Sequence, residues 1–259
     1  MAKKRWALSV PVDGFDLREL GEVAREAEGL GYTDAWSYEV DGVDCFTPLV
    51  VVGMATGMRL GTAIANVYTR GPSMLASMAA GLADLAPGRF VFGIGAGSQP
   101  IVEAWNGGVF ARPATRVREM AQFLRAALAG ERVVFKGETF SVDGFRLTRV
   151  PSSPVPIYIA ALRPGMLKVA GEVGDGVILN WNSPEDVPKC VAVVRDAATK
   201  AGRDPDAIEI TAGGAMDLDG VKRFAELGVE RIVVPPFGWD SESLKTFFGQ
   251  FHDNVISKL

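Results

Sequence analysis

Phe90-Val91-Phe92-Gly93-Ile94-Gly95-Ala96-Gly97-Ser98 is the stretch on which the fold turns. An apolar run that ends in glycines and a polar turn reads first as a strand opening onto a nucleotide-binding loop. The Gly-x-Gly-x-x-Gly fingerprint of a doubly wound dinucleotide domain fails here, because Ser98 stands where the third glycine belongs. The segment is also the fourth strand-like run of the chain, not the first. Gly95 and Gly97 have two other uses: they let main chain approach a planar ligand with its N–H groups free, or they serve only the tight turn.

Outward from this segment one theme repeats, a short apolar run followed by an amphipathic stretch. Strand-like runs fall at 6–12, 33–38, 59–66, 90–95, 156–160, 176–180, 208–212 and 231–235. Helical periodicity falls at 16–30, 46–55, 73–85, 115–129, 164–173, 184–201, 218–227 and 241–258. Asp16 with Glu19 makes a capping box, Gly31 a C-terminal stop, and Ser183 before Pro184 a cap with proline at the first helical position. Eight βα units in 259 residues predict an α/β fold, a closed (β/α)8 TIM barrel forming a single domain over 1–259. Residues 132–150 interrupt the alternation with strand-like runs around Lys136-Gly137 and Asp143-Gly144, a β-hairpin excursion between the fourth helix and the fifth strand.

Composition removes several functions. With 48% hydrophobic residues, 22% charged and a net charge of -4, the chain is neither disordered nor equipped to grip a phosphate backbone. Cys45 and Cys190 form no metal or disulfide pattern and read as reduced structural thiols of a cytoplasmic protein. Lys3-Lys4-Arg5 before 6–12 lacks a following cleavage site, and the apolar run 46–58 is broken by Pro48, Gly53 and Gly57, so neither a signal peptide nor a membrane span is expected. No metal site is expected either. In a barrel, chemistry belongs to the loops after the strands.

Several segments carry more than barrel grammar: Gly61-Thr62-Ala63-Ile64, Tyr68-Thr69-Arg70, Leu85-Ala86-Pro87-Gly88-Arg89-Phe90 and the opening glycine run. Arg112-Pro113 with Arg116 and Arg118-Glu119 follow, then Tyr158-Ile159-Ala160-Ala161-Leu162 leading to Ala170-Gly171 and Asp175-Gly176. In this order and spacing the chain resembles the luciferase-like monooxygenase superfamily, in particular its oxidoreductases that use the deazaflavin coenzyme F420. The resemblance runs from Trp6 to Thr211 and resumes near Asp219. Between Met216 and Val221 many relatives carry a longer excursion over the pocket, so a more open site is implied here.

The resemblance implies a non-prolyl cis peptide at Ala63-Ile64 forming a bulge behind the central ring of F420 or of the alternative cofactor, FMN. Ala65 and Asn66 continue that strand end, and Ala96, Gly97 and Ser98 match the loop along the cofactor. Ala160, Ala161, Leu162 and Arg163 match the strand end and loop that meet the cofactor phosphate at a helix N-terminus, where free N–H groups favour an anion. Many relatives have glycine in place of Arg163, which here either supplies a bidentate phosphate contact or is solvated. Some F420-dependent dehydrogenases carry a histidine where this chain has Val40, and the only histidine, His252, lies in the last helix. Glu39 is then the candidate catalytic group for proton handling.

Val40, Trp105 and Trp181 are candidate substrate-pocket residues, with Asn106 and Phe237 beside them if their loops fold inward; aromatic residues also anchor loops. Gly213-Gly214 and 235–238 occupy the usual phosphate corner of barrels, although turn chemistry alone explains them. The expected function is hydride transfer between F420 and a small organic substrate. The alternatives are an FMN-dependent monooxygenase, a non-catalytic cofactor-binding relative, and an unrelated barrel acting on a phosphorylated metabolite. Family resemblance implies a homodimer, and neither nucleic acid nor membrane is expected as a partner.

Overall fold

The computed structural model describes residues 5–12, 14–179, 184–215, 217–235, 238 and 240–259. Its elements in chain order are β1 (Arg5–Val10), α1 (Leu17–Gly29), β2 (Asp34–Ser37), α2 (Thr47–Ala55), β3 (Arg59–Thr62), β4 (Ala65–Asn66), α3 (Pro72–Leu85) and β5 (Phe90–Gly95). There follow α4 (Pro113–Leu128), β6 (Val133–Lys136), β7 (Ser141–Phe145), β8 (Ile157–Ala160), α5 (Pro164–Val173), β9 (Gly176–Leu179) and α6 (Val187–Lys200). The chain ends with β10 (Glu209–Gly213), α7 (Leu218–Glu226), β11 (Arg231–Val234) and α8 (Ser241–Asn254).

The sheet runs β3-β2-β1-β11-β10-β9-β8-β5, and β3 pairs back onto β5 through Leu60 with Phe90 and Gly61 with Val91. The result is a closed parallel barrel of eight strands with helices outside, the architecture expected. β6 and β7 pair antiparallel as the expected excursion. Glu119 of α4 pins it: its carboxylate accepts the Glu138 N–H at 2.6 Å and the Thr139 N–H at 3.0 Å.

Strand period two divides the apolar residues into two sets. One set, including Leu8, Leu60, Phe92, Ile159 and Val234, packs against the helices. The other, Ala7, Trp36, Val91, Tyr158, Ile178 and Val233, fills the lumen. Two large rings fit there because two strands supply no side chain: a Cβ on Gly61 would lie 2.4 Å from the Trp36 ring, and one on Gly176 would lie 2.6 Å from the Tyr158 ring.

Below these rings, at the strand N-termini, the lumen is polar. Arg231, with no solvent exposure, donates to Asp34 at 2.7 Å, to Thr211 at 3.1 Å and to Glu209 at 3.3 Å. Its guanidinium lies 4.8 Å from the Trp36 ring centroid. Arg5 joins Glu209 at 3.0 Å, and the Tyr158 hydroxyl donates to the same carboxylate. A buried cation is tolerable only where charge and hydrogen bonds surround it, as here.

Local details depart from expectation in three places. The run 59–66 is two strands, β3 and β4, separated by a cis Ala63-Ile64 bond. The sixth helix starts at Val187 behind a turn, so Pro184 is not its first residue; Pro188 takes the second helical position, and Ser183 lies outside the described residues. The last α-helix stops at Asn254, and 256–258 tighten into a 3-10 turn. The first helix keeps its signals: the Asp16 N–H donates to Glu19 at 2.9 Å, and Gly31 has φ +90°.

Candidate functional site

The strand C-termini open onto a mouth whose floor is made of small side chains. Ala63, Ile64 and Ala160 are half-buried and pack on the lumen cluster. Gly95 sits between them: a Cβ there would lie 3.2 Å from Ile64 Cγ1 and 3.4 Å from the Ala160 Cβ. The floor is therefore flat because β5 contributes only hydrogen at that point. Gly93, one layer lower, has no alternative at all, since a Cβ would fall 1.8 Å from the Thr62 carbonyl oxygen. Thr62 Oγ1 donates to the Gly93 carbonyl at 2.7 Å and locks β3 to β5 beneath the floor.

The loop after β5 turns at Gly97, which has φ +65°. Its missing Cβ makes room for Asn66, whose amide nitrogen would lie 2.3 Å from it. Asn66 in turn accepts the Tyr68 N–H at 2.8 Å and shapes the loop after β4. Ala65, Asn66, Ala96 and Ala161 are buried and frame the mouth, whereas Gly97, Ser98, Leu162 and Arg163 are exposed on it. Arg163 precedes α5, with Pro164 at the first helical position, and its side chain has no hydrogen-bond or ion-pair partner among the described residues.

Glu39 lies at the rim after β2. Arg70, from the loop after β4, donates to it at 2.6 Å, and the Cys45 N–H donates at 3.3 Å. Burial pushes the Glu39 carboxyl up, but the Arg70 hydrogen bond and charge, with the Cys45 donor, outweigh it and hold the group below the usual carboxylate range. Glu39 is therefore ionised at neutral pH. Arg70 also lies over the Phe46 ring, 5.5 Å from its centroid. Farther round, Arg116 donates to the carbonyls of Val67 at 3.2 Å and Thr139 at 3.0 Å and lies near the Tyr68 ring, tying the loop after β4 to α4.

The structure thus brings Ala63, Ile64, Ala160, Gly97, Ser98, Leu162, Arg163 and Glu39 to one end of the barrel. Trp105, in a single π-helical turn at Ile101–Trp105, is 56% exposed, and Val40 is 48% exposed; both stand on the rim. Trp181 and Phe237 lie outside the described residues. His252 bonds the Leu30 carbonyl at 2.8 Å, on α8 and away from the mouth. Sequence reasoning assigned no role to Arg70. Its signal was available, because Arg70 and Glu39 are opposite charges that lie just past two consecutive strand-like runs, 33–38 and 59–66.

The sequence profile of the luciferase-like monooxygenases matches residues 3–216. The 5,10-methylenetetrahydromethanopterin reductase of Methanolobus tindarius is 33% identical over 203 residues, covering 78% of this chain and 62% of that protein. The F420-dependent glucose-6-phosphate dehydrogenase of Mycolicibacterium smegmatis is 31% identical over 227 residues, covering 81% and 67%. The chain thus spans about three fifths to two thirds of the length of these relatives. Among solved structures, the coenzyme F420-dependent tetrahydromethanopterin reductase from Methanopyrus kandleri superposes with a TM-score of 0.86 at 19% identity over 99% of both chains, a likeness of fold. Among the described residues, no helix is long and apolar enough to cross a membrane, and no group of His, Cys, Asp and Glu could hold a metal ion.

Proposed function

The chain belongs to the luciferase-like monooxygenase family, and from that premise we propose that it is an oxidoreductase that binds coenzyme F420. One observation carries the reading: a floor of Ala63, Ile64 and Ala160 lies at the same barrel end as Arg163, at the start of α5, which has no partner among the described residues. The floor suits the face of a tricyclic ring. Gly97 and Ser98, exposed at its edge, offer main-chain groups to the polar rim of such a ring. Arg163 and the positive dipole end of α5 suit a phosphate.

When bound, F420 supplies a hydride donor or acceptor at the C5 carbon of its deazaflavin. The protein's part is to hold the ring against one wall, leave its other face to a substrate and manage the accompanying proton. Glu39 is proposed for that last task. Held ionised by Arg70, it accepts a proton and so serves the direction in which the substrate is oxidised. The relatives named for F420 support this cofactor over FMN. Parallel fluorescence titrations with F420 and with FMN test the reading. Micromolar F420 affinity without FMN binding is expected, and the reverse result overturns it.

A further inference from the structure

Around the mouth, the segments that join a strand to the next helix are 11–16, 38–46, 67–71, 96–112, 161–163, 180–186, 214–217 and 235–240. By sequence they hold only three basic side chains, Arg70, Arg112 and Arg163, against ten acidic ones. Two of the three cations are occupied, Arg70 by Glu39 at 2.6 Å and Arg112 by Glu138. The third, Arg163, goes to the cofactor phosphate under the function proposed above, on which this step rests. No cation on these segments then remains for an anionic substrate, and the carboxylates of the rim repel one.

The same rim gathers apolar surface. Of the ten large hydrophobic side chains exposed among the described residues, four stand there: Val40 at 48%, Trp105 at 56%, Val109 at 75% and Leu162 at 53%. They come from the loops after β2, β5 and β8, all on the side of the barrel that carries the floor. Exposed apolar patches rimmed by polar groups mark binding surfaces. Aromatic side chains supply area to flat partners at small conformational cost.

We propose that the mouth takes an uncharged, ring-bearing substrate that packs its flat face on Trp105 and lies among Val40, Val109 and Leu162, and that it turns away phosphorylated and carboxylated molecules. This differs from the phosphorylated sugar in the name of the Mycolicibacterium relative.

Two probes with one ring system test it: neutral 2-acetylnaphthalene and anionic 2-naphthoate, titrated calorimetrically into the full chain with and without saturating F420. The ketone is expected to bind at least tenfold tighter than the carboxylate. Trp105→Ala should weaken the ketone about fivefold, and Val40→Lys should tighten the carboxylate to within about twofold of the ketone. Equal or tighter binding of 2-naphthoate by the unmodified protein overturns the proposal, as do unchanged ketone affinity in Trp105→Ala or failure of both probes to bind. F420 titration of the same samples reads the cofactor assignment separately. Absent F420 binding with the ketone preference intact overturns that assignment and supports the substrate class.

Discussion

Arg70 Nη1 donates to Glu39 Oε1 across 2.6 Å, joining the loop after β2 to the loop after β4 at the rim of the mouth. Both side chains are largely shielded, at 18% and 14% exposure, so the pair is screened less than a surface one. Glu39 also accepts the Cys45 N–H, and Arg70 covers Phe46 at the start of α2. The pair therefore organises one wall of the mouth.

Glu39→Gln should destabilise the fold in a pH-dependent way. A carboxyl whose folded pKa is lowered contributes fully above its unfolded value and loses that contribution as pH falls through the folded one. The variant should be less stable than the parent by about 2 kcal/mol at pH 7. That gap should shrink as pH drops below about 4, the ordinary glutamate range. Urea unfolding at pH 7 and at successively lower pH reads it, and a gap independent of pH contradicts the account.

Gly93→Ala and Gly81→Ala should behave oppositely. An added methyl at Gly93 meets the backbone oxygen of Thr62 at 1.8 Å, inside the strand pairing that closes the barrel, where nothing can give. It should cost more than about 4 kcal/mol and leave little soluble protein. Gly81, inside α3, meets nothing within 4 Å. Alanine there should stabilise by about 0.5–1 kcal/mol through helix propensity, read as a rise in melting temperature.

Arg231→Met should cost about 3–5 kcal/mol, because it strands Asp34 in the lumen without its 2.7 Å partner. Adding Asp34→Asn removes the stranded charge, so the double variant should be more stable than Arg231→Met alone. Chemical denaturation of the four proteins in this cycle checks the order. A double variant that is the least stable would place the cost in lost packing on Trp36 and Tyr158 instead.

Arg163→Ala should weaken F420 binding about tenfold or more, the scale of a charge-assisted hydrogen bond to phosphate. Its exposed position and lack of a partner make a fold effect negligible, which the melting temperature checks. Unchanged affinity would rule out the phosphate contact.

Periodicity located the barrel well where local chemistry is unambiguous. β5 and α5 coincide with their expected limits, since glycines end the one and Pro164 starts the other. The start of α6 was misread because two prolines, Pro184 and Pro188, each suit a first turn, and only packing chooses between them. The division of 59–66 into β3 and β4 is invisible to apolar patterning, and the resemblance alone pointed to 63–64. The Glu39–Arg70 pair spans 31 positions, a separation on which periodicity is silent. The rim position of Trp105 depends on a π-helical turn, which the sequence of 101–105 does not advertise.

The buried ring of charge around Arg231, capped by Trp36 and Tyr158, stoppers the barrel at the strand N-termini. The lumen above it is packed with side chains, so the floor of Ala63, Ile64 and Ala160 is backed by protein on one side. A planar molecule resting there would have one face covered by the barrel and only the other open to a second molecule.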